Sequence, residues 1–265
     1  MKEKSPKKRS KYWIGWLTLG LGVLMLVLVL LLLRLSVVTD YFYHSLVKDP
    51  PRRIPSGNNI VSPADGTVNY IKEIKDGIMP EVVKKGVAIP LEELIKAEIT
   101  KPIKKGYLIG IYMTTETVHI NRVPVDGTYE KQIVFNGPHM SMNDMDKAVI
   151  LTKMIPGLVT LKKLLGLDPF SIEKNGDYIL KSARETSVFK DIQGSSVYVI
   201  RIADYWVGKI LTWIEEGQEV TKGQKMGMVT LGSQVDICFA HSPGLKLNVK
   251  VGDYIYAGET ILASY

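Results

Sequence analysis

Two stretches near the end of the chain read alike: Glu216-Gly-Gln-Glu-Val-Thr-Lys-Gly-Gln-Lys-Met-Gly227 and Val251-Gly-Asp-Tyr-Ile-Tyr-Ala-Gly-Glu-Thr-Ile-Leu262. Both follow Gly-x-x-aliphatic-x-x-Gly-(Gln/Glu). Gly217, Val220 and Gly223 hold these places in the first, Gly252, Ile255 and Gly258 in the second. Glycines on either side of one aliphatic residue suit a short strand between tight turns, because glycine reaches positive φ without a Cβ penalty. Working outward, further short runs punctuated by turn residues predict strands at Thr67–Ile74, Tyr107–Met113, Thr128–Phe135, Ser196–Ile202, Lys209–Ile214, Lys225–Leu231, Gln234–Phe239 and Leu245–Val249.

The repeated pattern is similar to that of barrel-sandwich, lipoyl-like folds. The expected fold class is therefore mainly β (α+β): a barrel-sandwich, lipoyl-like β domain with short helices, preceded by an N-terminal transmembrane helix. Two segments break the run of strands. Leu91–Ile99 predicts a short amphipathic helix, and Asp144–Leu167 a helix broken at Pro156-Gly157. The second sets Val149, Ile150, Met154, Leu158, Leu161, Leu164 and Leu165 against Lys147, Lys153, Lys162 and Lys163. It reads either as a surface helix packed on the core or as a basic amphipathic element resting on anionic lipid.

At 265 residues the chain holds one large domain or two small ones. With 46% hydrophobic and 23% charged residues it is not disordered. Trp13 to Val38 is almost wholly apolar, and about 20 such residues suffice to cross a bilayer. Trp13 and Trp16 at one end and Tyr41 to Tyr43 at the other suit the two interfaces. A cleavable signal peptide is the alternative. The run is too long for one and lacks a small-x-small cleavage site, so an anchor in the cell membrane is preferred. The expected layout is a basic tail at 1–12, an anchor at 13–39, a linker at 40–60 and a folded domain at 61–265. The net charge is +7, but six basic residues cluster between Lys2 and Lys11, and no aromatic-interleaved basic motif supports nucleic-acid binding. The single Cys238 excludes an internal disulfide and a cysteine-based zinc site, and no metal is expected.

Three segments carry reactive residues beside tight turns: Val61-Ser-Pro-Ala-Asp-Gly-Thr-Val68, Val118-His-Ile-Asn-Arg-Val-Pro-Val-Asp-Gly127 and Gly227-Met-Val-Thr-Leu-Gly-Ser-Gln-Val-Asp236. Together they offer Asp65, His119 and Ser233, the chemical kit for activating a hydroxyl. The target closest to hand is the peptide bond between Gly232 and Ser233. Glycine there leaves its carbonyl open to close approach.

This combination resembles the phosphatidylserine decarboxylases, in particular their short prokaryotic branch with its archaetidylserine enzymes. The resemblance runs from about Lys48 to Tyr265 and includes the lead-in Lys48-Asp-Pro-Pro-Arg-Arg-Ile-Pro55, Ser62-Pro-Ala-Asp-Gly66, His119-x-Asn-Arg-x-Pro-x-Asp-Gly127 and Gly232-Ser233-x-Val-Asp236. It implies that 61–265 is a decarboxylase catalytic domain that cuts itself into a β chain of 1–232 and an α chain of 233–265. Ser233 attacks the Gly232 carbonyl, His119 takes its proton, and Asp65 orients His119. The product at position 233 is a pyruvoyl group, the only cofactor the resemblance implies. The implied substrate is an aminophospholipid in a membrane, phosphatidylserine or an archaeal-type ether-lipid equivalent, decarboxylated to the ethanolamine lipid. The implied assembly is a β/α heterodimer, with further oligomerisation left open. Arg122 stands where some members carry a second histidine, and binds a substrate carboxylate or phosphate or else forms an ion pair. Thr117 and Gln234 also depart from the branch pattern, where Asp and Arg are frequent. Asp126-Gly127 reads as structural. The family works on lipid made at the cytoplasmic face, whereas the basic tail places the domain outside, so the two arguments point to opposite faces.

Two other classes share parts of this pattern. A membrane-anchored lipoyl-like adaptor without catalytic activity shares the anchor and the repeats, but lacks long helical hairpins and a reason for Asp65, His119 and Gly232-Ser233 to co-occur. A membrane-bound serine hydrolase would need a Gly-x-Ser-x-Gly elbow, which is absent.

Overall fold

The structure is a computed structural model that describes residues 9–79, 89–96, 103–114, 116–155, 157–167, 177–205, 209–230 and 233–265. The chain divides into two compact units, Met1–His44 and Ser45–Tyr265. Helix α1 runs from Arg9 to Val47, and its stretch Trp13–Leu35 is long and apolar enough to cross a membrane. Helical structure thus extends eight residues into the expected linker. Among the described residues the remaining helices are α2 (Leu91–Ile95), α3 (Asn143–Met154), α4 (Leu158–Leu164) and α5 (Asp177–Lys181). The predicted break falls between α3 and α4, where Gly157 has φ +80°, a conformation glycine adopts freely. Residues 97–99 of the predicted first helix lie outside the described residues.

The strands are β1 (Asn59–Val61), β2 (Gly66–Lys75), β3 (Ile78–Met79), β4 (Ile89–Pro90), β5 (Lys105–Met113), β6 (Ile120–Arg122), β7 (Gly127–Phe135), β8 (Arg184–Asp191), β9 (Ser196–Ala203), β10 (Ile210–Thr212), β11 (Glu219–Val220), β12 (Lys225–Val229), β13 (Ser233–Ala240), β14 (Lys246–Leu247), β15 (Tyr254–Ile255) and β16 (Ile261–Ser264). A large antiparallel sheet runs β11-β7-β8-β9-β13-β5-β2-β3-β4, with β15 added on β2. Two three-stranded sheets, β1-β16-β14 and β10-β12-β6, complete the β-rich domain.

Strand β13 lies in the middle of the large sheet. It pairs with β5 and β9 from Ser233 onward, with Ser233 opposite Met113 on one side and Ala203 on the other. Its side chains alternate between two cores. Val235, Ile237 and Phe239 join Ile109, Ile111, Val197 and Val199. Cys238 joins Leu108, Tyr112, Tyr198 and Ile200 on the opposite face. A strand covered on both faces and both edges is the least mobile place in such a domain.

Candidate active site

The sequence motifs converge through backbone hydrogen bonds. Val61 N–H donates to Pro124 O at 3.0 Å, and Arg122 N–H to Pro63 O at 2.9 Å, so the Ser62–Asp65 turn lies against the His119–Pro124 segment. That segment is tied in turn to β12, because β6 pairs with it and Val229 N–H donates to His119 O at 3.3 Å. Four residues beyond Val229 comes Ser233. Gly232 and Leu231 lie outside the described residues.

Ser233 is fully buried, and its Oγ donates to Met113 Sδ at 3.3 Å. A thioether is a weak acceptor, so little energy holds this hydroxyl in its present rotamer. Asn121 Nδ2 approaches the same sulfur at 4.0 Å. Asn121 Oδ1 and Thr114 Oγ1 are buried, and neither has a hydrogen-bond partner among the described residues.

His119 is also fully buried. Its Nδ1 lies 2.6 Å from Thr117 O, which fixes the proton on Nδ1 and leaves Nε2 as the acceptor. Burial lowers its pKa to about 4, against an opposing pull from that carbonyl. The ring is therefore neutral near pH 7, the form a general base requires.

Asp65 occupies the expected turn, where Ser62 Oγ accepts from Ala64 N–H at 3.3 Å and donates to Ala64 O at 2.6 Å. Its carboxylate accepts from Arg52 Nη2 at 2.9 Å and from Ala257 N–H at 2.7 Å. Burial raises its pKa, with the Ala257 N–H and the Arg52 guanidinium pulling the other way. The group that holds Nδ1 of His119 is thus the Thr117 carbonyl, and the carboxylate of Asp65 is bound to the lead-in and to the second half-motif. Arg122 forms the ion pair weighed above: its guanidinium bonds Asp49 Oδ1 at 2.5 Å and Gly223 O at 2.8 Å. Asp49 also pairs with Lys225. Substrate binding at Arg122 requires an anion that displaces Asp49.

A second polar cluster, which sequence reasoning missed, lies on the other face of β13. Tyr70 OH donates to Asp236 Oδ2 at 2.5 Å. Gln234 Nε2 donates to Asp236 Oδ1 at 2.7 Å and to the Tyr70 oxygen at 3.1 Å. Gln234 Oε1 accepts from Asn69 Nδ2 at 2.8 Å and Tyr178 OH at 2.6 Å. Burial pushes the Asp236 pKa up to about 7, against its hydrogen bonds from Tyr70 and Gln234 and the charge of Arg184. Gly110, opposite Asp236, leaves the space: a Cβ there would sit 2.4 Å from Asn69 Oδ1 and 2.5 Å from the Tyr70 ring. The sequence signals for this cluster were Asp236 within the Gly-Ser motif and Gln234 as a departure from the branch pattern; nothing local connects either with Tyr70 or Tyr178. The network pins the side chain of the residue that follows Ser233. Among the described residues no group of three or more His, Cys, Asp or Glu side chains is placed to hold a metal.

Fold and site define a β-rich enzyme domain whose candidate nucleophile opens its own central strand. Comparison with known proteins gives the family. The phosphatidylserine decarboxylase family model matches residues 38–263. A provisionally named archaetidylserine decarboxylase proenzyme of Methanocaldococcus jannaschii is 33% identical over 231 residues, covering 86% of this chain and 90% of that protein. Phosphatidylserine decarboxylase proenzymes of Chlorobaculum tepidum and Nitrosomonas eutropha are 28% and 25% identical, over 84% and 82% of this chain and 76% of each of those proteins. The chain belongs to the phosphatidylserine decarboxylase family, and with it to the carboxy-lyases. That membership sets aside the adaptor and serine-hydrolase readings.

Proposed function

We propose that the chain is a proenzyme that cleaves itself between Gly232 and Ser233 and then decarboxylates phosphatidylserine or its ether-lipid equivalent. The observation that carries this reading is the position of Ser233: a loosely held, fully buried hydroxyl at the first residue of the central strand, beside unpaired polar atoms. In maturation the Ser233 oxygen adds to the Gly232 carbonyl carbon and the C–N bond breaks, leaving an ester. His119 accepts the hydroxyl proton at Nε2 while Thr117 O holds its Nδ1–H, and Asp65, bound to Arg52 and Ala257 N–H, braces the turn that lies against the His119 segment. Asn121 Nδ2, whose acceptor among the described residues is the Met113 sulfur at 4.0 Å, donates to the oxyanion that forms. β-Elimination then releases Gly232 as a carboxylate and leaves dehydroalanine at 233, and water hydrolyses its imine tautomer, with loss of ammonia, to a pyruvoyl group.

The residues present fit such a group. A chain end at 233 stays in register, because β5 and β9 hold it on both edges and the Gln234 network holds the next side chain. When formed, the pyruvoyl carbonyl supplies the electron sink for loss of CO2 from an amine-bearing substrate. Burial of His119 keeps that proton acceptor in the neutral form. The lipid class comes from the names of the relatives. The apolar stretch Trp13–Leu35 anchors the chain in the membrane where such a lipid resides.

Intact-mass analysis of the purified protein tests the reading. The expected result is two chains, the smaller of 33 residues from 233 to 265 and blocked to N-terminal sequencing. Ser233→Ala is expected to remain one chain and to release no CO2 from phosphatidylserine vesicles. A single uncut chain in an active wild-type preparation overturns it.

A further inference from the structure

Helix α3 is apolar on two opposite sides. One side carries Met145 and Val149, fully packed in the core beside Met142. The other carries Ile150, Leu151 and Met154, followed by Ile155, all exposed, with Met154 at 74%. At 3.6 residues per turn these lie across the helix from Val149, where a helix on a water-facing domain presents polar residues. Helix α4 repeats the arrangement. Val159 packs on Gly252, and Lys163 Nζ reaches Val251 O at 3.4 Å, so this helix is seated on the domain. Leu161, Leu164 and Leu165 nevertheless point outward, Leu164 with 83% of its surface free, and Leu167 follows. Elsewhere among the described residues of the unit Ser45–Tyr265 the exposed large aliphatic residues, such as Ile54, Ile78 and Ile192, are scattered. Eight within the eighteen residues 150–167 form a concentration that a soluble surface does not carry without a partner.

We propose that the outward face of α3 and α4 is a bilayer-docking surface, a second membrane contact that lays the catalytic unit on the lipid. The occupant is argued from charge and from the chain itself. Three lysines, 147, 153 and 162, flank the apolar residues in the sequence, against two aspartates, 144 and 146, at the start of α3. That is the composition of an interfacial element facing anionic headgroups, with apolar residues below the headgroup level and lysines at it. The same chain also carries a span able to cross a bilayer, so a lipid surface is always within reach. A second copy of the chain is the competing occupant. The inference goes beyond decarboxylation and stands whether or not Ser233 is the reactive group.

The test places a polarity-sensitive fluorophore on full-length protein in nanodiscs of phosphatidylcholine and phosphatidylglycerol containing doxyl-labelled lipid. Cys238 is buried and its thiol pKa pushed up by that burial, so Met154→Cys, Leu164→Cys and, as control, Ile192→Cys are labelled selectively. Labels at 154 and 164 are expected to shift to the blue and to be quenched by the doxyl lipid, while 192 stays water-like. Leu161→Ser with Leu164→Ser is expected to reduce decarboxylation of bilayer lipid by ~10-fold or more, from the cost of losing buried leucine surface. It should leave decarboxylation of a short-chain, water-soluble phosphatidylserine unchanged, which shows that the variant is folded. Unquenched, water-like labels at 154 and 164 overturn the proposal. So does a blue shift without lipid quenching that grows with protein concentration, which assigns the face to a second copy.

Discussion

At Asp65-Gly66 and at Asp126-Gly127 the chain makes one construction twice. Each glycine opens a long strand, and each pairs with the aliphatic residue of one half-motif: Gly66 with Ile255, Gly127 with Val220. Each aspartate accepts a backbone N–H two residues further along that half-motif, Ala257 at 2.7 Å and Lys222 at 2.8 Å. The following glycines then donate to equivalent carbonyls, Gly258 to Ser62 and Gly223 to Val123. The surroundings differ. Asp126 is exposed, whereas Asp65 is buried and bound to Arg52 of the lead-in. The shared part is scaffolding, and anything particular to Asp65 arises from its burial and its cation. An Asp-Gly signature alone therefore does not distinguish a catalytic carboxylate from a turn cap.

The most severe way to break this comparison is to exchange each aspartate for its amide. Asp65→Asn is expected to slow self-cleavage by ~10-fold or more, because the amide weakens the bond to Arg52 that braces the turn lying against the His119 segment. Asp126→Asn should alter it by no more than a few-fold. Time-resolved gels of newly made protein check this, and equal slowing in both would reduce Asp65 to a cap. Next in size is Arg52→Ala. Arg52 and Asp65 each have only 4% of the side chain exposed, so losing the cation strands a buried charge and should cost ~3–5 kcal/mol in denaturant unfolding. In the second half Lys222 Nζ bonds Gly57 O and Asn59 Oδ1 instead, and Lys222→Met should cost ~1–3 kcal/mol.

The glycines give a finer comparison. Gly217 and Gly223 both have positive φ, so alanine at either should cost ~1–2 kcal/mol from backbone strain. A Cβ on Gly217 meets open space, but one on Gly223 would lie 2.3 Å from Ile54 Cδ1. Gly223→Ala should therefore cost more, and Ile54→Ala should erase the excess in a double-mutant cycle. The smallest effect is on pH dependence. His119, lowered to about 4, makes stability rise as pH climbs from about 4 to 6.5, because the unfolded state binds the extra proton there. Asp236, raised to about 7, makes stability fall between the ordinary carboxylate range and about 7, because the folded state keeps its proton longer. The two slopes oppose each other at up to ~1.4 kcal/mol per pH unit each. Thermal unfolding of His119→Gln should show the falling slope uncovered, and Asp236→Asn the rising one. Parallel pH profiles in both variants would contradict this pairing.

The repeated glycines, the break at Pro156-Gly157 and the order of the reactive motifs were legible in the chain, because each rests on local chemistry: a φ value, a missing N–H, a residue type at a fixed spacing. Strand β8 was not. It buries Arg184, Glu185, Thr186, Ser187 and Asp191, so its burial does not follow hydrophobicity and leaves no alternation to read. The partners of the reactive residues were equally out of reach. Thr117 O on His119, Arg52 on Asp65, and Tyr70 and Tyr178 around Gln234 are set by which strands lie side by side. Residue types and spacings decided that this chain carries the decarboxylase motifs in a β-rich domain. The packing of β13 between β5 and β9 decided which groups surround Ser233, because burial and hydrogen-bond partners belong to neighbours brought together by folding.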